Sequence, residues 1–591
     1  MKILSFLSGK PTRVSAARSE ALVTSAAVVY LTLALLTGLM DVVFVLRHYM
    51  KFPFGDHWIW LERYYQHGLI AVLGTQFNEH RYVATGIWYF LDHRYFGGTN
   101  TFLTGLMMLM QAGCIVLLIA PLWRQMRVAD AVKYVFAGFA VVVMLWFIQA
   151  EDFFYGYQIC FFACNLGILA ALHLLPRLAA RQNTWRFLAV VTCAVFANYS
   201  NGHGLLIWPV LLIAGLWLRI PARWLGALLA AATLSVGAYF FHYQAPTEHM
   251  GPWAALADHP GRIAQYVVLM IGLPWFGAGT RDPALSSHLA AYAASVSGIL
   301  LSIALMADLA RRNDRKGQTG RLIYASLLLV CLGSSLITAL GRSQYSILFG
   351  RYAPIPLLFW VGLAGWITDY LSSRFSGRGL AVWCGMLVAA SAATMPVHVS
   401  LGRYFERRER YQMAAALSIT VGAPDVRQIR TELGTFLDRI EYVDREAAAV
   451  LGHSLFWRPS AADLGKPLAA HFRAVDRSWC AGVLDGAALL PDAAGNSASV
   501  LGWAWDYHDG GEAREILIVD DQGMVEGLGI PHVPRRDVGR AFSNSAMDYA
   551  GFLGYTRVSG PGRIHIFEEL KDGVSACSIG VPRVPSPAAH Y

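Results

Sequence analysis

Apolar runs dominate the chain up to about residue 400. Those long enough to cross a bilayer as helix, roughly 17–25 residues, lie near 21–46, 101–122, 131–149, 159–176, 187–200, 204–218, 224–243, 288–309, 321–340, 352–371 and 379–399, two of them short enough to be tilted or broken. The stretch 263–278 is also apolar, but Gly272, Pro274 and Gly277 interrupt it, so it reads as an interfacial or re-entrant piece. Beyond 400 the pattern changes. RYFERRERYQ and DVRQIRTELGTFLDRIEYVDREAAAVL read as soluble amphipathic helices. After about 480, short alternating runs with turn signals take over: SVLGWAWD, EILIV and MVEGL around Asp520-Asp521-Gln522-Gly523, and GRIHIFEEL. The expected fold is mainly α, a polytopic membrane helical bundle of about eleven spans. A soluble region with helices and a small β-sandwich-like domain follows it. The expected organisation is a basic arm over 1–20, a transmembrane domain over 21–399 with a first outside loop at 47–100, a helical linker region over 400–479 and a β domain over 480–591.

Composition supports lipid as the main solvent. Charged residues make up 15% of the 591 positions and apolar residues 55%, against about 25% charged in an ordinary soluble protein. Lys2, Lys10, Arg13 and Arg18 precede an uninterrupted apolar run from Ala21 to Leu46, which reads as a first span and not as a cleaved signal peptide. Every second loop is basic: Arg124/Arg127, Arg177/Arg181/Arg186, Arg219/Arg223, Arg311/Arg312/Arg315/Lys316 and Arg374/Arg378. This places these loops and the N-terminus in the cytoplasm and the C-terminal region outside. The net charge of +9 then belongs to loops beside anionic lipid, and nucleic acid is not expected as a partner. Of the 8 cysteines, Cys480 and Cys577 alone fall in the polar C-terminal part, where an oxidising compartment would allow a disulfide.

The ionisable residues gather at the outer ends of the spans and leave the span interiors almost uncharged. That argues against an ion-coupled transporter, which places such groups at mid-membrane. The first cluster is FPFGDHWIWLERYYQHG. Trp58, Trp60 and Leu61 read as an interfacial helix lying on the membrane. Asp56 is either a general base or metal ligand there, or a helix N-cap. The second cluster, NEHR at 78–81, offers Glu79, His80 and Arg81 in one turn, unless it is a solvated loop. The third, QAEDFFYGYQ, brings Glu151, Asp152 and Gln158, one of the acids being a candidate cap. The fourth, NYSNGHG, holds His203 in what also reads as a tight inter-helix turn. The fifth, GRSQYSILFGRY, holds Arg342, Arg351 and Tyr352. Arginine suits bidentate contact with phosphate, and it also snorkels to headgroups. Trp503 and Trp505 share a strand face, where core packing competes with carbohydrate binding.

GDHW at 55–58, NEHR at 78–81 and GRY at 350–352, within this topology, resemble the GT-C superfamily of integral-membrane glycosyltransferases over roughly residues 20–400. GWAWD at 502–506 and RRDVGRAF at 535–542 look like β domains appended to such proteins. The resemblance implies a bacterial inner-membrane enzyme with a periplasmic C-terminal domain. It would pass a sugar from a polyprenyl-phosphate donor to a glycan or glycolipid acceptor, usually with inversion. It implies Asp56 as general base and Arg81, Arg342 and Arg351 on the leaving phosphate. Glu79, His80, Glu151, Asp152, Gln158, His203 and Tyr352 would contact sugar or acceptor. Asp56 is followed by His57 and Trp58 where the family usually has an acidic pair or DxD. A divalent cation (Mg or Mn) is therefore an open element of the reading, with Asp56 its candidate ligand. Two rival readings are an O-antigen ligase or polymerase, which the short late loop at 341–351 disfavours, and a non-enzymatic glycan or lipid scaffold or transporter.

Overall fold

The computed structural model describes residues 13–244 (side chains from 21), 251–276, 288–312, 317–342, 350–374, 377–490, 497–557 and 563–580. The basic arm before residue 13, Arg315, Lys316 and the middle of the late outside loop lie outside the described residues. The chain divides into two compact units. The first is 1–47, 73–89 and 103–402, and the second is 48–72, 90–102 and 403–591.

The first unit is the membrane bundle. Among the described residues, 9 helices are long and apolar enough to span: Ala21–His48, Thr101–Arg124, Asp130–Phe154, Gly156–Ala180, Ala222–Phe240, Leu289–Arg311, Thr319–Arg342, Gly350–Arg374 and Arg378–Val421. The expected count of eleven is therefore corrected. The runs at 187–200 and 204–218 are the shorter apolar helices Thr184–Asn198 and Gly202–Trp217. At 15 residues, Thr184–Asn198 rises only about 22 Å, short of a hydrocarbon core of about 30 Å. The two are consecutive, packed against each other and joined by the turn that begins at Gly202. Asp130–Phe154 is 83% buried over its most apolar window and Ala21–His48 only 17%, which makes the former a central helix and the latter a lipid-facing one. Across the bundle, His398 bonds Asp41 at 2.9 Å and its ring lies over Phe147, centroids 4.1 Å apart. The region 263–276 is helical: Pro260–Ile271 packs Ile263, Tyr266 and Met270 inward, and Leu273–Phe276 follows.

The second unit combines parts of the first outside loop with the C-terminal region. Helix Asp56–His67 does not lie on a membrane surface with its aromatic face. Trp58, Trp60 and Leu61 are at most 1% exposed, and the helix packs beside Leu437–Leu451. Trp58 meets Phe456, and Glu62 pairs with Arg439 at 2.7 Å. The apolar face found a protein partner, the outcome that burial favours when one is present. Asp92 accepts from the N–H groups of Asn100 and Phe102, and the Asn100 amide donates to the carbonyls of Met50 and Phe52. Helix Arg378–Val421 runs unbroken for 44 residues. RYFERRERYQ is thus its continuation beyond the membrane, not a separate element. Val426–Glu432 is capped by Asp425, and Leu437–Leu451 buries Ile440, Val443 and Ala447 on one face.

The β domain is one sheet of eight strands, not a sandwich of two. The strands are β1 (Arg473–Val475), β2 (Cys480–Leu489), β3 (Ser497–Asp506), β4 (Glu515–Val519), β5 (Val525–Val533), β6 (Gly551–Arg557), β7 (His565–Glu569) and β8 (Ser575–Gly580), in the order β1-β8-β7-β4-β5-β6-β3-β2. The sheet curls into a half-barrel. Its curl brings β2 to β8, where Cys480 and Cys577 form a disulfide with Cα atoms 6.2 Å apart. At the bend, Gly529 of β5 pairs with Gly554 of β6, and a Cβ on Gly554 would meet the Leu528 carbonyl at 3.0 Å. Both faces are buried. Val500, Ile516, Ile518, Phe552 and Ile566 fill the concave side. Leu517, Leu528, Ile530 and Tyr555 pack against Ala414, Leu417 and Val421 of the long helix. Trp503 and Trp505 are buried with Val538, Met547 and Ala550. Asp520 accepts from the N–H groups of Gln522 and Met524 and turns β4 into β5.

Two predictions concern this domain. The disulfide closes a separation of 97 residues, worth about 4–5 kcal/mol by loop entropy. A Cys480→Ala/Cys577→Ala variant of the full chain should lose hydrogen-exchange protection in β2 and β8 first, and unchanged protection would deny the clip a stabilising role. Glu568 is fully buried. Burial and then the Asp506 carboxylate lift its carboxyl from 4.5 to about 9. The folded state keeps a proton that the unfolded chain gives up above pH 4.5. Stability from this group is therefore full below that pH and is lost as pH rises toward about 9. Thermal unfolding should fall over that range in the native chain and less steeply in Glu568→Gln.

Candidate functional site

Within the membrane unit, one pocket forms where helices end. Its first wall is the turn Phe77–His80, in which each of those two residues donates its N–H to the other's carbonyl at 2.8 Å. Asn78 takes a φ of 50° there, which asparagine tolerates better than most residues. Arg81 then anchors the turn. Its buried guanidinium donates to the carbonyls of Gly74, Tyr239 and Phe241. The Gln76 amide adds a second tie, donating to the Gln244 carbonyl at 2.6 Å and accepting from the Gln244 N–H at 2.9 Å. The turn is thereby fixed to the end of helix Ala222–Phe240, and the Tyr239 hydroxyl donates to the Glu79 carbonyl at 2.6 Å.

The second wall is the tip of the short-helix hairpin. His203 lies between the side-chain amides of Asn201 (2.9 Å) and Asn165 (3.3 Å) and stacks on Phe161. The Gly202 N–H donates to His80 Nδ1 at 3.0 Å. The hairpin turns so tightly that a Cβ on Gly204 would sit 2.2 Å from the Ala197 carbonyl oxygen.

The third wall brings cations. Arg342 ends helix Thr319–Arg342, and its Nη2 donates to Glu79 Oε1 at 2.7 Å. Its Nε is buried with no hydrogen-bond partner among the described residues. Tyr352 ends the turn Gly350–Tyr352, and Arg351 lies 5.6 Å from its ring centroid. Burial pushes the Glu79 carboxyl up, but His80 beside it and the Arg342 ion pair outweigh burial and hold it well below the usual carboxylate range. Glu79, His80, His203, Arg342 and Tyr352, with apolar side chains such as Phe161 and Ile337, line a cavity of about 370 Å³.

The structure thus gathers five of the sequence-derived residues, drawn from three separate motifs, around one cavity. Arg81 is engaged by backbone carbonyls. Glu151 and Asp152 diverge, as neighbours on a helix do. Glu151 is half-buried, and Asp152 is fully buried with neither oxygen hydrogen-bonded among the described residues. The charge of Arg351 acts on Asp152, and Gln158 ends the adjoining turn Gly156–Gln158. Asp56 belongs to the second unit. It opens helix Asp56–His67 one residue after the cap, which is Gly55 at a φ of 55°. Its carboxylate therefore sits in the first turn, where the helix dipole favours it. Asn165 and Tyr239 were not singled out from the sequence. Asn165 is a polar residue within the apolar run 159–176, and that cost in lipid was its available signal. Among the described residues, no three His, Cys, Asp or Glu side chains come together as a metal-holding group.

The hairpin tip gives a direct test of this geometry. Gly204→Ala should lower the melting temperature of the full chain, at a cost of about 1–3 kcal/mol from overpacking. Gly226→Ala, with open space around its Cβ position, should leave it unchanged, and equal effects would deny the tight turn any special role.

No protein-family model and no curated protein matches this chain, so its functional reading rests on the pocket.

Proposed function

We propose that this protein is a membrane glycosyltransferase. It moves a sugar from a polyprenyl-phosphate donor to a hydroxyl of a glycan or lipid acceptor at the extracytoplasmic face, with inversion. The observation that carries the reading is the cavity of about 370 Å³ in which Glu79, His80, His203 and Arg342 meet at span ends. It joins a carboxylate, two imidazoles and a guanidinium to an apolar lining, the lining expected for a lipid-borne polar headgroup. Helices Ala222–Phe240 and Thr319–Arg342 finish there, and Gly350–Arg374 begins there. The basic loops lie at the other helix ends, which supports an extracytoplasmic pocket. The Cys480–Cys577 disulfide suits the same compartment for the second unit.

The chemistry follows from these groups. The acceptor hydroxyl gives its proton to a carboxylate as its oxygen bonds the anomeric carbon. The bond from that carbon to the phosphate oxygen breaks, and its electron pair leaves with the polyprenyl phosphate. Phosphate is a weak base and needs no strong acid. Its charge is met by Arg342, with Arg351 in the adjoining turn. His80 and His203 orient sugar or acceptor hydroxyls. Asp56 was the sequence-derived base. Glu79 is the carboxylate that the pocket itself holds, and it takes that role in this proposal.

The test uses the full chain in vesicles with labelled polyprenyl-phosphate sugar and a glycolipid acceptor. Glu79→Gln should lower transfer at least about a hundredfold, with Asp56→Asn much less affected. Full transfer by Glu79→Gln with loss in Asp56→Asn would return the role of base to Asp56. Donor binding without turnover in the native chain would make the protein a scaffold, and donor movement between leaflets a transporter.

A further inference from the structure

Resting on that reading, we propose that the Glu79–Arg342 ion pair occupies an anion site from within. A phosphate ester headgroup entering the cavity takes the Arg342 guanidinium and releases the Glu79 carboxylate for proton transfer. The pocket would then arm its base only when the donor's phosphate is in place.

The geometry carries this in three steps. Arg342 meets Glu79 through Nη2 at 2.7 Å, while the neighbouring Nε, buried at the cavity, has no hydrogen-bond partner among the described residues. The Nε and Nη2 edge of a guanidinium is a two-pronged donor, and this one meets its carboxylate through Nη2. A phosphate ester presents two oxygens at the spacing of that fork and engages both prongs together. It therefore competes well against the single bond. Next, Glu79 is held at its backbone and not only at its tip. The Tyr239 hydroxyl holds the Glu79 carbonyl, and the Arg81 guanidinium holds the chain two residues on. Losing Arg342 thus removes that ion pair without moving the turn. Finally, a carboxylate paired with a guanidinium is a poor proton acceptor, because the pair stabilises its charged form. Displacement by phosphate removes that stabilisation and raises the basicity of Glu79 at the moment when the leaving group is positioned.

The experiment measures binding without chemistry. Full-length native protein, Glu79→Gln and Arg342→Gln, in nanodiscs of zwitterionic lipid, are titrated with inorganic phosphate and separately with polyprenyl phosphate. Glu79→Gln lacks the internal competitor and should bind both probes about tenfold more tightly. Arg342→Gln should lose binding. Equal gains for the two probes identify phosphate itself as the ligand of the fork, and a larger gain for polyprenyl phosphate identifies the lipid-borne headgroup. Unchanged or weaker binding by a folded Glu79→Gln protein would overturn the proposal. A second readout needs no variant: in difference infrared spectra of the native chain, phosphate should shift a carboxylate stretch, and a spectrum with no such change would also overturn it. Tighter binding by Glu79→Gln in a protein that never transfers sugar would leave this latch standing and remove the glycosyltransferase reading.

Discussion

The pocket depends on the buried guanidinium of Arg81. A charged group inside a protein is costly unless its donors are satisfied, and this one donates to three backbone carbonyls, at Gly74, Tyr239 and Phe241. Carbonyls carry no counter-charge, so the arrangement holds position without neutralising the group. It ties a turn of the first outside loop to the end of a helix roughly 160 residues later in the chain. With that tie made, Glu79 has a fixed carbonyl, His80 has a fixed ring, and Arg342 has a defined partner. The most charged motif in the region thus divides its labour, with Arg81 supporting the wall and Glu79 and His80 exposed to the cavity.

The short-helix hairpin makes the same point from the other wall. Its tip carries polar side chains that meet partners within the bundle: His203 lies between the side-chain amides of Asn201 and Asn165, and the Asn198 amide donates to the Ser235 hydroxyl. The Gly202 N–H finds His80. The polar groups that complete the hairpin also furnish the pocket, where Asn201 and His203 line the cavity.

Much of this was legible in the sequence, and the reasons for the remainder are physical. Each of the eleven apolar runs became a helix, because a continuous apolar run in lipid has no other way to satisfy its backbone. Length is less legible, since Thr184–Asn198 and Gly202–Trp217 have the composition of spans without the reach. Strand patterns located SVLGWAWD, EILIV and IHIFEE, but a curled sheet and a sandwich bury alternating residues in the same way. The single strand order and the Cys480–Cys577 link from β2 to β8 separate them, and both depend on residues far apart. Trp58 and Trp60 have the composition of a membrane-surface helix, and Phe456, the partner of Trp58, lies about 400 residues away. NEHR, NYSNGHG and GRY were each visible as polar clusters. Their convergence was not, because Glu79 and Arg342 are 263 residues apart and no local period links them. Arg81 shows the limit most sharply: side-chain chemistry nominated it for an anion, and only the fold reveals three carbonyls waiting.

The division of the chain constrains how it crosses the membrane. Segments 48–72 and 90–102 of the first outside loop fold with 403–591, and segments that share one compact core must lie on one side of the membrane. The loop follows the first span, and the C-terminal region follows the last. Those two facts agree only if the number of crossings is odd, a condition that 9 spans meet and ten would break. The residues between those loop segments, 73–89, join the membrane unit and deliver Glu79 and His80 to the cavity. The loop is thus shared, with its flanks in the soluble unit and its centre in the bundle.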